Sequence, residues 1–253
     1  MSDVNGQGYD AEQPLWAVEP ARGNNKQYTD RSGAENLAAM EIKPLNKFPR
    51  DTVERWLLTI PFYKTVKQQD NWQFEILLDR AHIAYYEPGE QVLQRGERDQ
   101  WLYFLLKGQL DVYPNEQVEG PSINQITPGE VIGDLAMLIG HERTATLIAS
   151  PGCRQVVVLA SDFSEFANLE SNRPITLATK IAYYRNTVHS LRWKLEVYRA
   201  QNPQHSFANR HRQIRLYTGP KDTLEELSAL HAQAQSLARL LLEWNGEFGA
   251  ARR

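Results

Sequence analysis

The sequence predicts an α+β protein: an antiparallel, jelly-roll-like β-roll preceded by short helices and followed by a long helix and one further helix. Three observations carry that expectation. Between Ile83 and Leu159, short runs rich in Val, Ile, Leu and Tyr are broken by glycine or proline, as in "HIAYYEPGE", "WLYFLLKGQLDVYPNE" and "RTATLIASPG". Strands punctuated in this way are typical of antiparallel sandwiches and barrels. From Leu177 onward, apolar residues return at alternating four- and three-residue steps, the spacing of helices with a seam. Cys153 is the only cysteine, which excludes an internal disulfide and Cys-rich zinc sites, so the 253 residues must be held by an apolar core.

The elements follow in chain order. Residues 1–45 are polar, rich in Gly, Asn, Gln and Asp, and without periodicity, which predicts a disordered or loosely packed segment. "PRDTVERWLLTIPF" (Pro49–Phe62) reads as a short helix, with Asp51 as candidate N-cap, Glu54 three residues on, and Pro61 as its end. "NWQFEILLDRA" (Asn71–Ala81) reads as a second amphipathic helix. The glycines Gly89, Gly96, Gly108, Gly129 and Gly133 fall at strand ends. Ser161 or Asp162 could cap a short helix over "SDFSEF".

Leu177, Ile181, Tyr184, Val188, Leu191, Leu195 and Tyr198 then define one heptad seam. Leu227, Leu230, Ala234, Leu237, Leu241 and Trp244 define another, on a helix from about Asp222 to Asn245. The two seams could pair with each other, with a second subunit or with the sheet domain. Between them lies a loop with a basic cluster, His205, Arg210, His211, Arg212, Arg215 and Lys221, which could contact phosphate groups or an acidic partner but is read first as a solvated connector.

One stretch within the β region carries the chemistry: "IGDLAMLIGHERTA", Ile132–Ala145. Gly133 lets backbone approach a ligand, and a short helix starting near Leu135 would turn N–H groups toward an anion. Arg143 adds a permanent charge and a fork of donors suited to phosphate, and the Thr144 hydroxyl can donate beside it.

With "EPGEQVLQRGE" (Glu87–Glu97), "YFLLKGQLDVY" (Tyr103–Tyr113), "TPGEVIGDLAML" (Thr127–Leu138), "ERTATLIA" (Glu142–Ala149), Phe62 and Phe163 in order, the chain resembles the cyclic-nucleotide-binding domain over about Leu45–Arg199. That β-roll is shared by catabolite-activator-type regulators, kinase regulatory subunits and gated channels. The resemblance implies a phosphate-binding cassette of Ile132, Gly133, Asp134, Leu135, Ala136, Arg143, Thr144 and Ala145. Arg143 would meet the phosphate and Asp134 the ribose, as the family's Glu does.

Asp134 is one methylene shorter than that Glu, which shortens its reach. Glu142 could pair with Arg143 and partly neutralise an empty pocket. The "ERTA" context, of the bacterial type, points to cAMP, with cGMP (through Thr144) or a cyclic dinucleotide as rivals. The family also implies base contacts from the C-terminal helix, near Thr187, Ser190, Leu191 and Arg192, where Arg192 could stack on a base or simply lie on a solvated face.

Other function classes fare worse. The six histidines show no metal-ligand spacing, no nucleophile motif or Walker loop is present, and no cofactor is called for, so no enzyme is expected. The net charge of −3 gives no general attraction to nucleic acid or an anionic membrane. Residues 201–253 have the wrong periodicity for a helix-turn-helix, so DNA is not an expected partner. With no signal-like N-terminus and no apolar run near ~18 residues, a soluble cytoplasmic protein is expected.

The organisation expected is therefore a loose segment at 1–45, a nucleotide-binding domain at 46–200, and an interaction region at 201–253. Its function would be that of a cyclic-nucleotide sensor or adaptor, signalling to a protein partner by repacking its C-terminal helices. The resemblance adds a homodimer through the 177–198 seam. The competing readings are a ligand-free β-roll scaffold and, disfavoured, a transcription regulator.

Overall fold

The computed structural model describes residues 41–98, 100–118, 120–140 and 142–251. Most of the segment expected to be loose lies outside them, as does His141. The last residues of that segment instead form strand β1 (Glu41–Pro44), which pairs antiparallel with β2 (Ala81–Tyr86) from Glu41 opposite Tyr85 to Pro44 opposite His82. A proline at the strand's end on a sheet edge loses no ladder bond, which lets so short a run pair there.

Three short helices follow. Helix α1 is Arg50–Leu57; Pro49 stands at its N-cap and Asp51 falls in its first turn, so Asp51 is not the cap. Pro61 does not merely end a helix. It opens α2 (Pro61–Gln69), because proline at the first helical position has its φ already set and no donor to lose. The polar "KTVKQQ" hid that helix from a reading of hydrophobic pattern. Asp70 caps α3 (Asn71–Asp79), accepting from the Trp72 and Gln73 amides at 2.9 and 3.2 Å.

The β-roll is two antiparallel sheets. One has the order β1-β2-β9-β4-β7, with β4 Trp101–Lys107, β7 Val131–Ile132 and β9 Val156–Asp162. The other is β3-β8-β5-β6, with β3 Gln91–Leu93, β5 Leu110–Tyr113, β6 Asn124–Ile126 and β8 Thr146–Ala149. The first sheet is buried on both faces, and the period-two alternation of its strands shows how. Tyr103, Leu105, Val158 and Ala160 face the second sheet in the core of the roll. Leu102, Phe104, Val157 and Leu159 face the helices in a second core.

Helix α4 (Asp134–Ile139) interrupts the roll between β7 and β8. Helix α5 (Ser164–Ala167) follows β9, with Asp162 accepting from the Ser164 amide at 2.9 Å. Then come the two long helices, α6 (Leu177–Gln201) and α7 (Leu224–Ala251).

The seams of α6 and α7 pair with each other inside one chain. Tyr184 meets His231 (ring centroids 5.3 Å), Arg185 binds Glu226, and Tyr198 donates to Asn245 at 2.9 Å, so the two helices run parallel. A parallel pair needs a connection that returns along the first helix, and residues 202–223 do this. Arg192 on α6 donates to the carbonyls of His211 and Ile214 at 3.1 and 2.9 Å, and Arg185 reaches Asp222 at 3.1 Å, one step nearer the start of α6.

The basic cluster of this loop is only in part the solvated connector expected from sequence, with Arg215 and Lys221 exposed. His211 and Arg212 bind Glu196 (both 2.8 Å), and Arg210 pairs with Glu243. These charges fasten the loop to the helices on either side. The 177–198 seam proposed for a homodimer is thus filled from within the chain, with Ile181, Leu191 and Leu195 buried. Within residues 201–253, Gln235 of α7 donates to the Leu138 carbonyl of α4 at 2.9 Å.

Candidate functional site

The cassette is built by a strand that stops abruptly. After Ile132 the chain enters Gly133 at φ 89°, a left-handed conformation that turns it directly into α4, and Gly140 at φ 67° ends that helix after six residues. From Glu142 the chain returns to β8. On the way, the Arg143 amide donates to the Glu97 carbonyl (2.7 Å) and the Gly96 amide to the Arg143 carbonyl (2.9 Å). These two bonds fix the backbone of Arg143 against the turn that follows β3.

The Arg143 side chain lies inward, only 3% exposed. Its Nη1 donates to the Gly133 carbonyl at 3.1 Å and its Nη2 to the Trp101 carbonyl at 2.7 Å. The guanidinium carbon stands 5.7 Å from the centre of the Tyr103 ring. Gly133 is what makes room. A Cβ there would lie 2.0 Å from Nη1 and 3.3 Å from the Trp101 carbonyl oxygen. The glycine is therefore required twice, once for its backbone angle and once for the guanidinium that occupies the place of a side chain.

At the other end, Asp134 is 5% exposed and its Oδ1 accepts from the Leu135 amide at 3.0 Å. Ile132 and Ala136 are buried, while Leu135, Thr144 and Ala145 are half-buried. Among the described residues the Thr144 hydroxyl takes part in no hydrogen bond. Glu142 does not neutralise Arg143; its carboxylate is held by Arg98 at 2.8 Å on the surface.

The base-contact candidates lie elsewhere than the cassette loop. Thr187 donates its hydroxyl to the Tyr183 carbonyl (3.0 Å), and Leu191 is fully buried in the helical core. Arg192 is half-buried, stacks on no ring among the described residues, and clips the return loop. Ser190 is half-buried on α6. The element that α4 packs against is α7, through Gln235, and nothing in the heptad pattern of α7 distinguishes that residue.

The heptad seam singles out Tyr184 and passes over its neighbour Tyr183. Its ring sits among Phe62, Phe163 and Phe166, with centroids at 5.8, 5.1 and 4.9 Å. Its hydroxyl is buried and, among the described residues, makes no bond of good hydrogen-bond geometry, with the Thr187 hydroxyl beside it. Burial, and after it the charge of Asp134, push that phenol well above its ordinary range. Among the described residues, no helix is long and apolar enough to cross a membrane and no cluster of His, Cys, Asp and Glu could hold a metal.

Residues 83–169 match the family model described as the cyclic nucleotide-binding domain, a match that ends before α6. The chain is 24% identical over 105 residues to a cAMP-dependent protein kinase regulatory subunit of Mycosarcoma maydis, covering 42% of this chain and 19% of that one. It is 24% identical over 118 residues to the cAMP-activated global transcriptional regulator CRP of Salmonella typhimurium, covering 46% and 56%. It is 28% identical over 109 residues to human patatin-like phospholipase domain-containing protein 6, covering 42% and 8%. The chain thus spans from under a tenth to little more than half of these relatives. Among solved structures, a cyclic nucleotide-binding domain from Methylobacillus flagellatus KT shares the fold, with a TM-score of 0.52 at 17% identity over 68% of this chain and 96% of that chain.

Proposed function

With a cyclic-nucleotide-binding domain matched at residues 83–169 as the premise, we propose that the cassette binds a cyclic nucleotide, cAMP first among the candidates, and that the protein is a non-catalytic sensor or adaptor. The observation that carries this reading is the buried Arg143 guanidinium at Gly133, where even a Cβ is excluded. A cyclic phosphate arriving there would offer the guanidinium an anionic acceptor whose oxygens match its fork of donors. Gly133, Leu135, Ala136 and Thr144 form the cradle, Ile132 and Ala145 flank it, and Asp134 meets the ribose. The unengaged hydroxyl of Thr144 keeps cGMP in contention, with a cyclic dinucleotide as a further rival.

Output passes to the C-terminal helices. The far end of α4 is tied to α7 through Gln235 and the Leu138 carbonyl, so a ligand that favours one placement of α4 biases the packing of α7. A protein partner would read that change.

One observation favours a ligand-free scaffold instead: Arg143 and Asp134 already bond within the cassette. Isothermal titration with cAMP, cGMP and cyclic di-GMP separates the two. Saturable binding of one of them below about 1 mM supports the sensor, and no binding below that concentration leaves the scaffold.

A further inference from the structure

The charge of this chain is unevenly spread. Its net charge is −3, yet residues 186–221, most of α6 with the return loop, hold seven lysines and arginines against one acid, Glu196. Four of the seven are engaged inside the chain. Arg192 donates to the loop carbonyls, Arg199 and Arg212 bind Glu196, and Arg210 pairs with Glu243. Lys194, Arg215 and Lys221 form no ion pair among the described residues, and Arg215 and Lys221 are exposed.

Beside these cations runs an uncharged helix face. Asn186, His189, Trp193, Val197 and Ala200 recur at three- and four-residue steps, which places them on one side of α6, away from the seam that meets α7. The stripe is about 21 Å long at 1.5 Å per residue, and at its centre Trp193 is 68% exposed. The return loop follows one flank. Arg192, next to Trp193, holds the Ile214 carbonyl at 2.9 Å, and Arg185, next to Asn186, holds Asp222 at 3.1 Å. Arg215 and Leu216 lie within two Cα steps of Ile214, and Lys221 within one of Asp222. Leu216 is 65% exposed. Single exposed apolar residues are ordinary on a surface; a tryptophan in an uncharged stripe rimmed by unpaired cations is not.

We propose that this face of α6, with the return loop as its rim, docks an acidic amphipathic helix of a protein partner. The apolar side of that helix covers Trp193 and Leu216, and its carboxylates meet Lys194, Arg215 and Lys221. A tryptophan covered at the centre and charges at the rim is how protein interfaces concentrate their binding energy. Other occupants fit the charges less well. A second copy placed symmetrically on the stripe would set like charge against like. Binding to a nucleic-acid duplex draws on about six to ten phosphate contacts, and three cations alone would hold an anionic membrane more weakly than about 1 mM. The surface is defined without the cassette, so the proposal stands apart from the nucleotide-binding reading.

The test uses the full chain without nucleotide and two labelled amphipathic peptides of one leucine pattern, one with glutamates on its polar face and one with lysines. Fluorescence anisotropy is expected to show saturable binding of the glutamate peptide at about 100 μM or below, weakened by high salt, and none of the lysine peptide. Trp193→Ala should weaken that binding about tenfold or more. Arg215→Glu combined with Lys221→Glu should do the same, with unfolding temperatures unchanged because all three side chains are exposed. No binding of the glutamate peptide, or equal affinity in wild type and Trp193→Ala, overturns the proposal. So does tighter binding to phosphatidylserine vesicles or to duplex DNA, which would assign the surface to that partner. A wild-type dimer that Trp193→Ala dissociates overturns it too, by filling the stripe with a second copy.

Discussion

Two arginines in this chain do the same thing with different consequences. Arg143 donates to the carbonyls of Gly133 and Trp101, and Arg192 donates to those of His211 and Ile214. Both bring a guanidinium between two main-chain segments far apart in sequence. What separates them is the backbone beneath. Arg143 lies where no side chain fits, over the first turn of a short helix and against an aromatic face. Arg192 spans from a helix to a loop whose charges are already matched by acids on α6 and α7. Carbonyl binding alone therefore marks no ligand site. The proposed site rests instead on a guanidinium enclosed by backbone that excludes a Cβ.

The largest expected effect comes from breaking that enclosure. Gly133→Ala forces a left-handed backbone on a residue with a Cβ, at about 1–2 kcal/mol, and in addition drives the Arg143 guanidinium out. Chemical denaturation should show a loss larger than the backbone cost alone, and titration should show nucleotide affinity lost with it. A variant with near wild-type stability and affinity would mean the guanidinium moves freely and the enclosure is not what defines the site.

Arg192→Ala should cost about 1–2 kcal/mol through two lost bonds to carbonyls. The change should appear as faster hydrogen exchange in residues 209–216, with α4 unaffected. Exchange accelerating equally in α4 would dissolve the contrast between the two arginines.

The smallest effect is one of pH. Arg212, then His211 and Arg199, hold the Glu196 carboxyl well below the usual carboxylate range. A carboxyl that loses its proton more readily when folded stabilises the fold fully above its ordinary value of 4.5, and that contribution fades as pH falls beneath it. Glu196→Gln should therefore flatten the decline of unfolding midpoint below about pH 4.5 and leave nucleotide affinity at pH 7 unchanged. An unaltered acid profile would show that Glu196 is not what fastens the loop.

How much of this is visible in the sequence follows from distance along the chain. The cassette is legible because Gly133, Asp134, Arg143 and Thr144 lie within a dozen residues and the turn joining them is local. The two cores of the roll are legible as alternation in β4 and β9. The fate of Arg192 is not, because it depends on a loop that doubles back, and heptads do not say whether two helices run parallel. Tyr183 and Tyr184 are neighbours of the same type. The seam claims Tyr184, and only the rings of Phe62, Phe163 and Phe166 show that Tyr183 faces elsewhere. Helix α2 was hidden for another reason: its exposed face is polar enough to read as a connector.

The dissociation constant of cAMP should be measured for wild type, Arg143→Ala and Arg192→Ala under one set of conditions. The phosphate-anchor assignment predicts a loss on the order of a hundredfold or more for Arg143→Ala, from two charge-assisted bonds, and less than about threefold for Arg192→Ala. Undiminished affinity in Arg143→Ala, or equal losses in both variants, would contradict it.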